Sequence, residues 1–456
     1  MAGLEEWSSP SSAPSGVAPG TEFGLSFLCG GSFFLTGLCP EPPRTLRGDP
    51  KAPLRVREAR TCAPLSVRYW ATRRLLTMTR LGIVGFCALA LIGVAVSLTA
   101  QTNRRGQSTA NERSLTVEDY TPRSTLVVPE HPVPRAKFPV VDVHSHHRPG
   151  LSGERWNTIV GEMDALNLQV LVNLSGGSGA TLAGGVQAIQ NSVHPNRMVF
   201  FANLDFSSGV RPGFGTRAAT QLERDVGAGA VGLKLFKNFG LTVRDAQGQR
   251  VSVDDPELDP VWEMCTRLDI PVLIHTGEPA EFFQPVDRYN ERWLELIVRP
   301  GRRLPSDRYP GFEAIMAERD RMFARHPQTR FIAAHMGWHA NDLGRLGAML
   351  DRLPNVYVGT GAILYELGRQ PLAAGAFFAE YADRVLFGKD SYAADEFPYY
   401  WRTFETRDEY FDYYRRYHAF WKLYGMGLSD DILRKVYYEN ALRVVPGIPR
   451  DAFPSF

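Results

Sequence analysis

PVVDVH, residues 139–144, opens a series of short apolar, β-branched runs that continues with LQVLVNLS (168–175), RMVFFANLD (197–205), AVGLKLF (230–236), IPVLIHT (270–276), RFIAAH (330–335), NVYVGT (355–360) and RVLFGKD (384–390). Nearly continuous apolar strands are buried on both faces, which implies a parallel sheet covered by helices. Stretches of helical period lie between the runs. Two of them, 317–326 and 342–353, stop directly before a proline and a new strand, where a helix has to end. Eight strands alternating with helices within residues 138–448 predict an α/β fold, a (β/α)8 or TIM barrel. A doubly wound open sheet is the rival, but it calls for a glycine-rich phosphate turn after the first strand. His144-Ser145-His146 stands there instead.

Upstream of the barrel the texture differs. Residues 1–64 contain nine prolines with many Gly and Ser and no sustained period, so 1–77 reads as a disordered extension or as sequence translated from too early a start codon. LGIVGFCALALIGVAVSL, residues 81–98, carries no charge and follows Arg73, Arg74 and Arg80. Within 78–100 it reads as a signal peptide, with an uncleaved anchor as the alternative. The stretch Thr72-Arg73-Arg74-Leu75-Leu76 also resembles a twin-arginine export motif. Either way the barrel is expected outside the cytoplasm, periplasmic, secreted or membrane-anchored, with 81–98 its sole membrane contact. Residues 101–137, polar and punctuated by Pro122, Pro129, Pro132 and Pro134, read as an extended tether.

Lys and Arg total 51 against 49 Asp and Glu, a formal charge of +2, and residues 1–80 hold 10 basic and 6 acidic side chains. The barrel region is therefore nearly neutral, which argues against nucleic acid as a partner; a small-molecule substrate is expected instead. Of five cysteines only Cys265 lies beyond residue 100, so no disulfide framework supports the barrel.

Barrel enzymes carry their chemistry at the C-terminal ends of the strands. The ligand-type residues fall there: His144 and His146 at the first run, Lys234 in the fourth, His275 at the fifth, His335 at the sixth and Asp390 at the eighth. Side chains two apart on a strand share a face, so His144 and His146 can approach one ion together. His275 and Asp390 complete a four-ligand set with an open position for water. Each residue alone is more often structural; their coincidence at strand ends is what points to a metal.

The set VDVHSHH, GLKLF, VLIHTGEP, FIAAHMGWHAND and RVLFGKDSY, followed by YYENALRVV, resembles the amidohydrolase-related branch of the amidohydrolase superfamily over roughly residues 138–448. That resemblance implies a divalent ion, Zn2+ first and Mn2+ as the alternative, held by His144, His146, His275 and Asp390. It also implies proton transfer through Asp390 and His335. In binuclear relatives a fourth-strand lysine carries a bridging carbamate, which makes Lys234 and His335 the candidates for a second ion; one ion is preferred over two. Lys389 departs from the family's usual F-G-T/S-D.

The activity expected is metal-dependent hydrolysis of a C–O or C–N bond in a lactone, ester or amide. A metal-dependent decarboxylase and a non-catalytic binding barrel stay open. An insertion after the fifth run, Glu278 to Phe312, sits where a lid would be and carries Arg299, Arg302, Arg303 and Arg308 with Phe282, Phe283 and Trp293. Arg299, Arg303 and Glu278 are the candidate contacts for an anionic or aromatic substrate. The rival reading is a surface loop whose arginines pair with Glu291, Glu295 and Asp307. The run from Tyr399 to Tyr424 reads as aromatic helices packed on the barrel, with His418 within them.

Overall fold

The computed structural model describes residues 115–116, 119–148, 150–418 and 420–455. Every described residue belongs to one compact unit. The extension 1–77, the segment 78–100 with its apolar run, and the start of the tether lie outside the described residues. Among the described residues no helix is long and apolar enough to cross a membrane.

The eight runs form eight parallel strands in sequential order: β1 Val140–Ser145, β2 Leu168–Asn173, β3 Met198–Asn203, β4 Ala230–Leu235, β5 Val272–Ile274, β6 Phe331–Ala333, β7 Val356–Gly359 and β8 Val385–Leu386. Beyond β8 the chain returns to β1: Val143 N donates to the Phe387 carbonyl at 3.0 Å and Asp390 N to the His144 carbonyl at 2.7 Å. A parallel bridge between Ser145 and Asp390 completes the closure. The architecture is a TIM barrel. Every residue of β1, β5 and β6 is buried, as the unbroken apolar runs require.

Helices cover the barrel where the sequence offers caps. Ser152 accepts from Arg155 N ahead of the helix Gly153–Leu166, and Asp342 accepts from Arg345 N ahead of Leu343–Arg352. Each cap satisfies an amide that the first helical turn leaves unpaired. The helix Phe312–Arg325 turns Ile315, Met316, Met322 and Phe323 inward at helical spacing.

Three expectations change in the structure. The stretch read as a tether is docked at its end: Ala136 is buried, its amide bonds the Leu166 carbonyl at 3.1 Å, and His131 N donates to Asp408 at 2.7 Å. The aromatic run is helical only over Phe397–Glu405, and His418 lies outside any helix. After Thr406 the chain doubles back, with Phe411 and Leu423 paired as an antiparallel bridge, so the rings pack as a layer rather than along a helical stripe.

The insertion, finally, does not stand free over the barrel but is tied by ion pairs, two of them on a buried carboxylate. Glu295, fully buried, accepts from Arg292 Nε at 2.8 Å and from Arg302, and its Oε1 lies 3.4 Å from His418 Nε2. Arg369 reaches across to Glu291 at 2.9 Å. The rival reading, in which the insertion's arginines pair with its own acids, therefore holds for Arg302 and Glu295, whereas Glu291 pairs with Arg369 outside the insertion.

Candidate active site

The C-terminal ends of the strands bring the separated histidines together. His144 and His146 leave β1, and both Nε2 atoms stand 3.4 Å from Asp390 Oδ1. Donor atoms of His144, His335 and Asp390 lie within 4.8 Å of one another. His335 Nε2 in turn is 3.1 Å from His275 Nδ1. Lys234 is buried beside them with no hydrogen-bond partner for Nζ, 5.5 Å from the Phe236 ring centre.

Glycines make room for this crowding. A Cβ at Gly388 would stand 2.7 Å from the His144 Cβ, and one at Gly361 would stand 3.0 Å from its Nδ1. Any larger residue there would push the imidazole out of place.

His335 arrives on an unusual backbone. His335, Met336, Gly337 and Trp338 have consecutive φ values of 57°, 52°, 60° and 57°. For L-residues this left-handed conformation costs roughly 1–2 kcal/mol each, so surrounding contacts must hold it. Arg319 Nη1 does so by donating to the Gly337 carbonyl at 2.6 Å. The turn stacks the Trp338 indole on the His335 imidazole, with ring centres 4.4 Å apart and planes 26° apart.

Hydrogen bonding decides where the imidazole protons sit. The Gly361 carbonyl, 2.7 Å from His335 Nδ1, only accepts, so that nitrogen carries the proton and Nε2 presents a lone pair. Glu278 Oε2, 3.4 Å from His275 Nε2, likewise draws the His275 proton to Nε2 and leaves a lone pair on Nδ1. Two lone pairs then face each other across 3.1 Å, an arrangement that calls for a cation between them.

A proton does not serve at neutral pH. Burial, with His275 nearby, pushes His335 down to about 3, and burial also lowers His275. Burial drives His144 well below its ordinary value, with Lys234 adding to the effect; both of its ring nitrogens lack a hydrogen-bond partner. Burial opposes ionisation of Asp390, yet the surrounding imidazoles of His144, His146 and His335 outweigh it and hold the carboxyl well below the usual range. Neutral imidazoles around one carboxylate form a donor set that fits a divalent metal ion.

A family model described as amidohydrolase matches residues 186–447, more than half of the chain. The chain belongs to the amidohydrolase family. Members of this family are metal-dependent enzymes. Among solved structures, this amidohydrolase is similar to 2,6-dihydroxybenzoate decarboxylase from Rhizobium, at 18% identity over 67% of this chain and 98% of that one, with a TM-score of 0.42. It is similar to a dihydroxybenzoic acid decarboxylase from Polaromonas sp. JS666 with bound manganese, at 16% identity over 67% and 96%, TM-score 0.43. It is also similar to 4-oxalomesaconate hydratase from Rhodopseudomonas palustris, at 15% identity over 67% and 95%, TM-score 0.42. No curated protein matches it.

Three residues singled out as substrate contacts are otherwise engaged in this amidohydrolase. Glu278 faces His275 through one oxygen and accepts from Lys237 Nζ at 2.5 Å through the other, so it orients an imidazole. Burial would raise its carboxyl, but His275 and Lys237 bring it to about 2. Arg303 Nε donates to the Leu296 carbonyl at 3.0 Å, and the Arg299 guanidinium lies 6.0 Å from the Tyr417 ring centre. Arg303 is thereby tied within the insertion, and Arg299 lies near a ring of the C-terminal segment.

Sequence reasoning missed Trp338 and Asp142. Trp338 sits three residues after His335 but shows its role only once the left-handed turn folds it back. Asp142, two residues before His144, sends Oδ1 to His144 N at 2.9 Å and Lys389 N at 3.1 Å. Its D-x-H spacing was the available signal.

Buried histidines also set an acid limit on stability. Burial pushes His147 down to about 4 and His339 to about 3 from an ordinary 6.5. Between those limits the unfolded chain binds more protons, so their contribution to stability rises with pH toward 6.5 and is lost on acidification. Asp142 and Glu366, each raised to about 7 by burial, act in the opposite sense. Comparing His339→Gln with its parent cancels those carboxylates. In urea titrations of metal-free protein between pH 7 and 5, the variant is expected to lose about 1.4 kcal/mol per pH unit of the parent's pH dependence below pH 6. Parallel stability curves for the two proteins would refute this.

Proposed function

We propose that this amidohydrolase is a hydrolase that cleaves a C–O or C–N bond of a small lactone, ester or amide with the aid of one divalent ion, zinc before manganese. The carrying observation is the ionised Asp390 carboxylate 3.4 Å from the Nε2 atoms of both His144 and His146. It supplies a negative donor and a proton acceptor at one point. His144, His146, His275 and Asp390 are the residues that would hold the ion, and the His335 Nε2 lone pair faces the same space. When bound, such an ion acts as a Lewis acid and lowers the pKa of water from 15.7 to about 7.

The protein groups then have separate tasks. Asp390 takes the proton released by the attacking water and returns it to the leaving group. Glu278 keeps the His275 proton on Nε2, and Gly361 keeps the His335 proton on Nδ1, so both imidazoles present lone pairs inward. Trp338 holds the His335 ring by stacking. Lys234, lowered to about 7 by burial, faces Asp390 as a dry cation or as a neutral amine.

Purified protein loaded with zinc or manganese, offered lactone, ester and amide panels beside aromatic carboxylic acids, tests the reaction class. Hydrolysis without CO2 release is expected. CO2 release without hydrolysis would make the enzyme a decarboxylase. Elemental analysis is expected to give one ion per chain; two would assign Lys234 a bridging role.

A further inference from the structure

Lys389 directly precedes Asp390, and the structure turns its side chain away from the metal donors into a buried contact of its own. Asp390 has φ 87°, a backbone conformation that L-residues rarely adopt. Both neighbours of this turn are secured. Lys389 N donates to Asp142 Oδ1 at 3.1 Å, and the Lys389 carbonyl accepts from Ala362 N at 3.3 Å. The ammonium of Lys389 then folds back past Asp390 and donates to the carbonyl of Ser391 and to Glu396 Oε2. The side chain is nearly inaccessible to solvent, and Glu396 Oε2 is shared with Arg415 at 3.3 Å.

We infer that Lys389 is a positioning residue whose ammonium staples the turn at Asp390, aiming its carboxylate at His144 and His146, with Glu396 and Arg415 anchoring the staple to the C-terminal segment. A lysine suits this place because its four-carbon stem spans the turn while the charge is met by the partly buried carboxylate of Glu396. Asp142 completes the arrangement from the other side of the seam: one oxygen receives the amides of His144, itself in the donor set, and of Lys389, the neighbour of Asp390. The inference rests on Asp390 being a metal donor.

The test uses three variants of the whole protein, Lys389→Met, Lys389→Met with Glu396→Leu, and Asp390→Asn. Each is read by zinc affinity in competition with a chromophoric chelator, by the visible spectrum after Co2+ loading, and by the thermal midpoint without metal. Lys389→Met is expected to weaken zinc binding by about 10- to 100-fold, the usual effect of losing a group that supports a ligand, and to shift the cobalt bands. The double variant removes the Lys389–Glu396 pair but leaves Arg415 without Glu396, so it is expected to regain at most part of the thermal midpoint and none of the zinc affinity. Wild-type zinc affinity in the double variant would overturn the inference, since charge burial alone would then explain the single variant. Wild-type affinity and an unshifted cobalt spectrum in Lys389→Met would overturn it as well. Unchanged zinc binding in Asp390→Asn would instead reject Asp390 as a donor, a separate failure.

Discussion

Asp390→Asn is expected to lower turnover by about 10²–10⁴-fold, the range associated with losing a positioned proton-transfer group, and to weaken metal binding at the same time. The side chains are nearly the same size, so the barrel has no steric reason to change. What changes is chemistry. Asp390 is the single carboxylate in the close donor trio with His144 and His335, and burial keeps those imidazoles neutral. An amide provides no negative charge to offset a dication and accepts no proton from water. Its NH2 group would also replace an oxygen 3.4 Å from two imidazole nitrogens. Turnover should be measured at saturating metal, so that loss of the ion and loss of the proton acceptor separate. Full activity under those conditions would remove Asp390 from the mechanism.

Glu295→Gln should have the largest effect on stability, about 3–5 kcal/mol, because it strands buried positive charge. Glu295 is fully buried and is shared by Arg292, Arg302 and His418. Arg292 is itself buried, with its Nη1 already lacking a partner. An amide leaves that guanidinium desolvated with no counter-ion. The pair Arg345–Glu313 is a useful contrast, since the Glu313 side chain is 72% exposed and Glu313→Gln should cost no more than about 1 kcal/mol. Urea midpoints of the two variants, with limited proteolysis of residues 279–311, test both statements. Equal small shifts and an uncut insertion would show that the insertion is held by its apolar contacts instead.

The barrel was legible because its signal is local. Eight runs whose apolar residues do not alternate can be buried only on both faces; β1 falls within one residue of the run read at 139–144, and β2 begins with the run read at 168–175 and ends two residues before it. The site was legible to the extent that ligand-type residues ended those runs. His144, His335 and Asp390 do meet, while His146 joins them through Asp390 and His275 through His335. The run 399–424 misled beyond Glu405 because its aromatic residues satisfy a helical period, whereas the bridge between Phe411 and Leu423 and the contacts of Asp408 with His131 and Arg402 turn the chain back. Of these partners His131 lies 277 residues away from Asp408, and no window on the segment includes it.

The order of strands and helices, the places where chemistry has to sit and the near-neutral charge of the barrel region were all set by the amino-acid sequence, because periodicity and strand-end position are properties of neighbouring residues. The tertiary structure alone decided that Glu278 orients His275, that Arg292 and Arg302 of the insertion meet on Glu295, that Trp338 stacks on His335 and that Lys389 turns away from the donors to bridge past Asp390. Each of these depends on which group lies across a gap of a few ångströms, and in a closed barrel that neighbour is chosen by the packing of strands far apart along the chain.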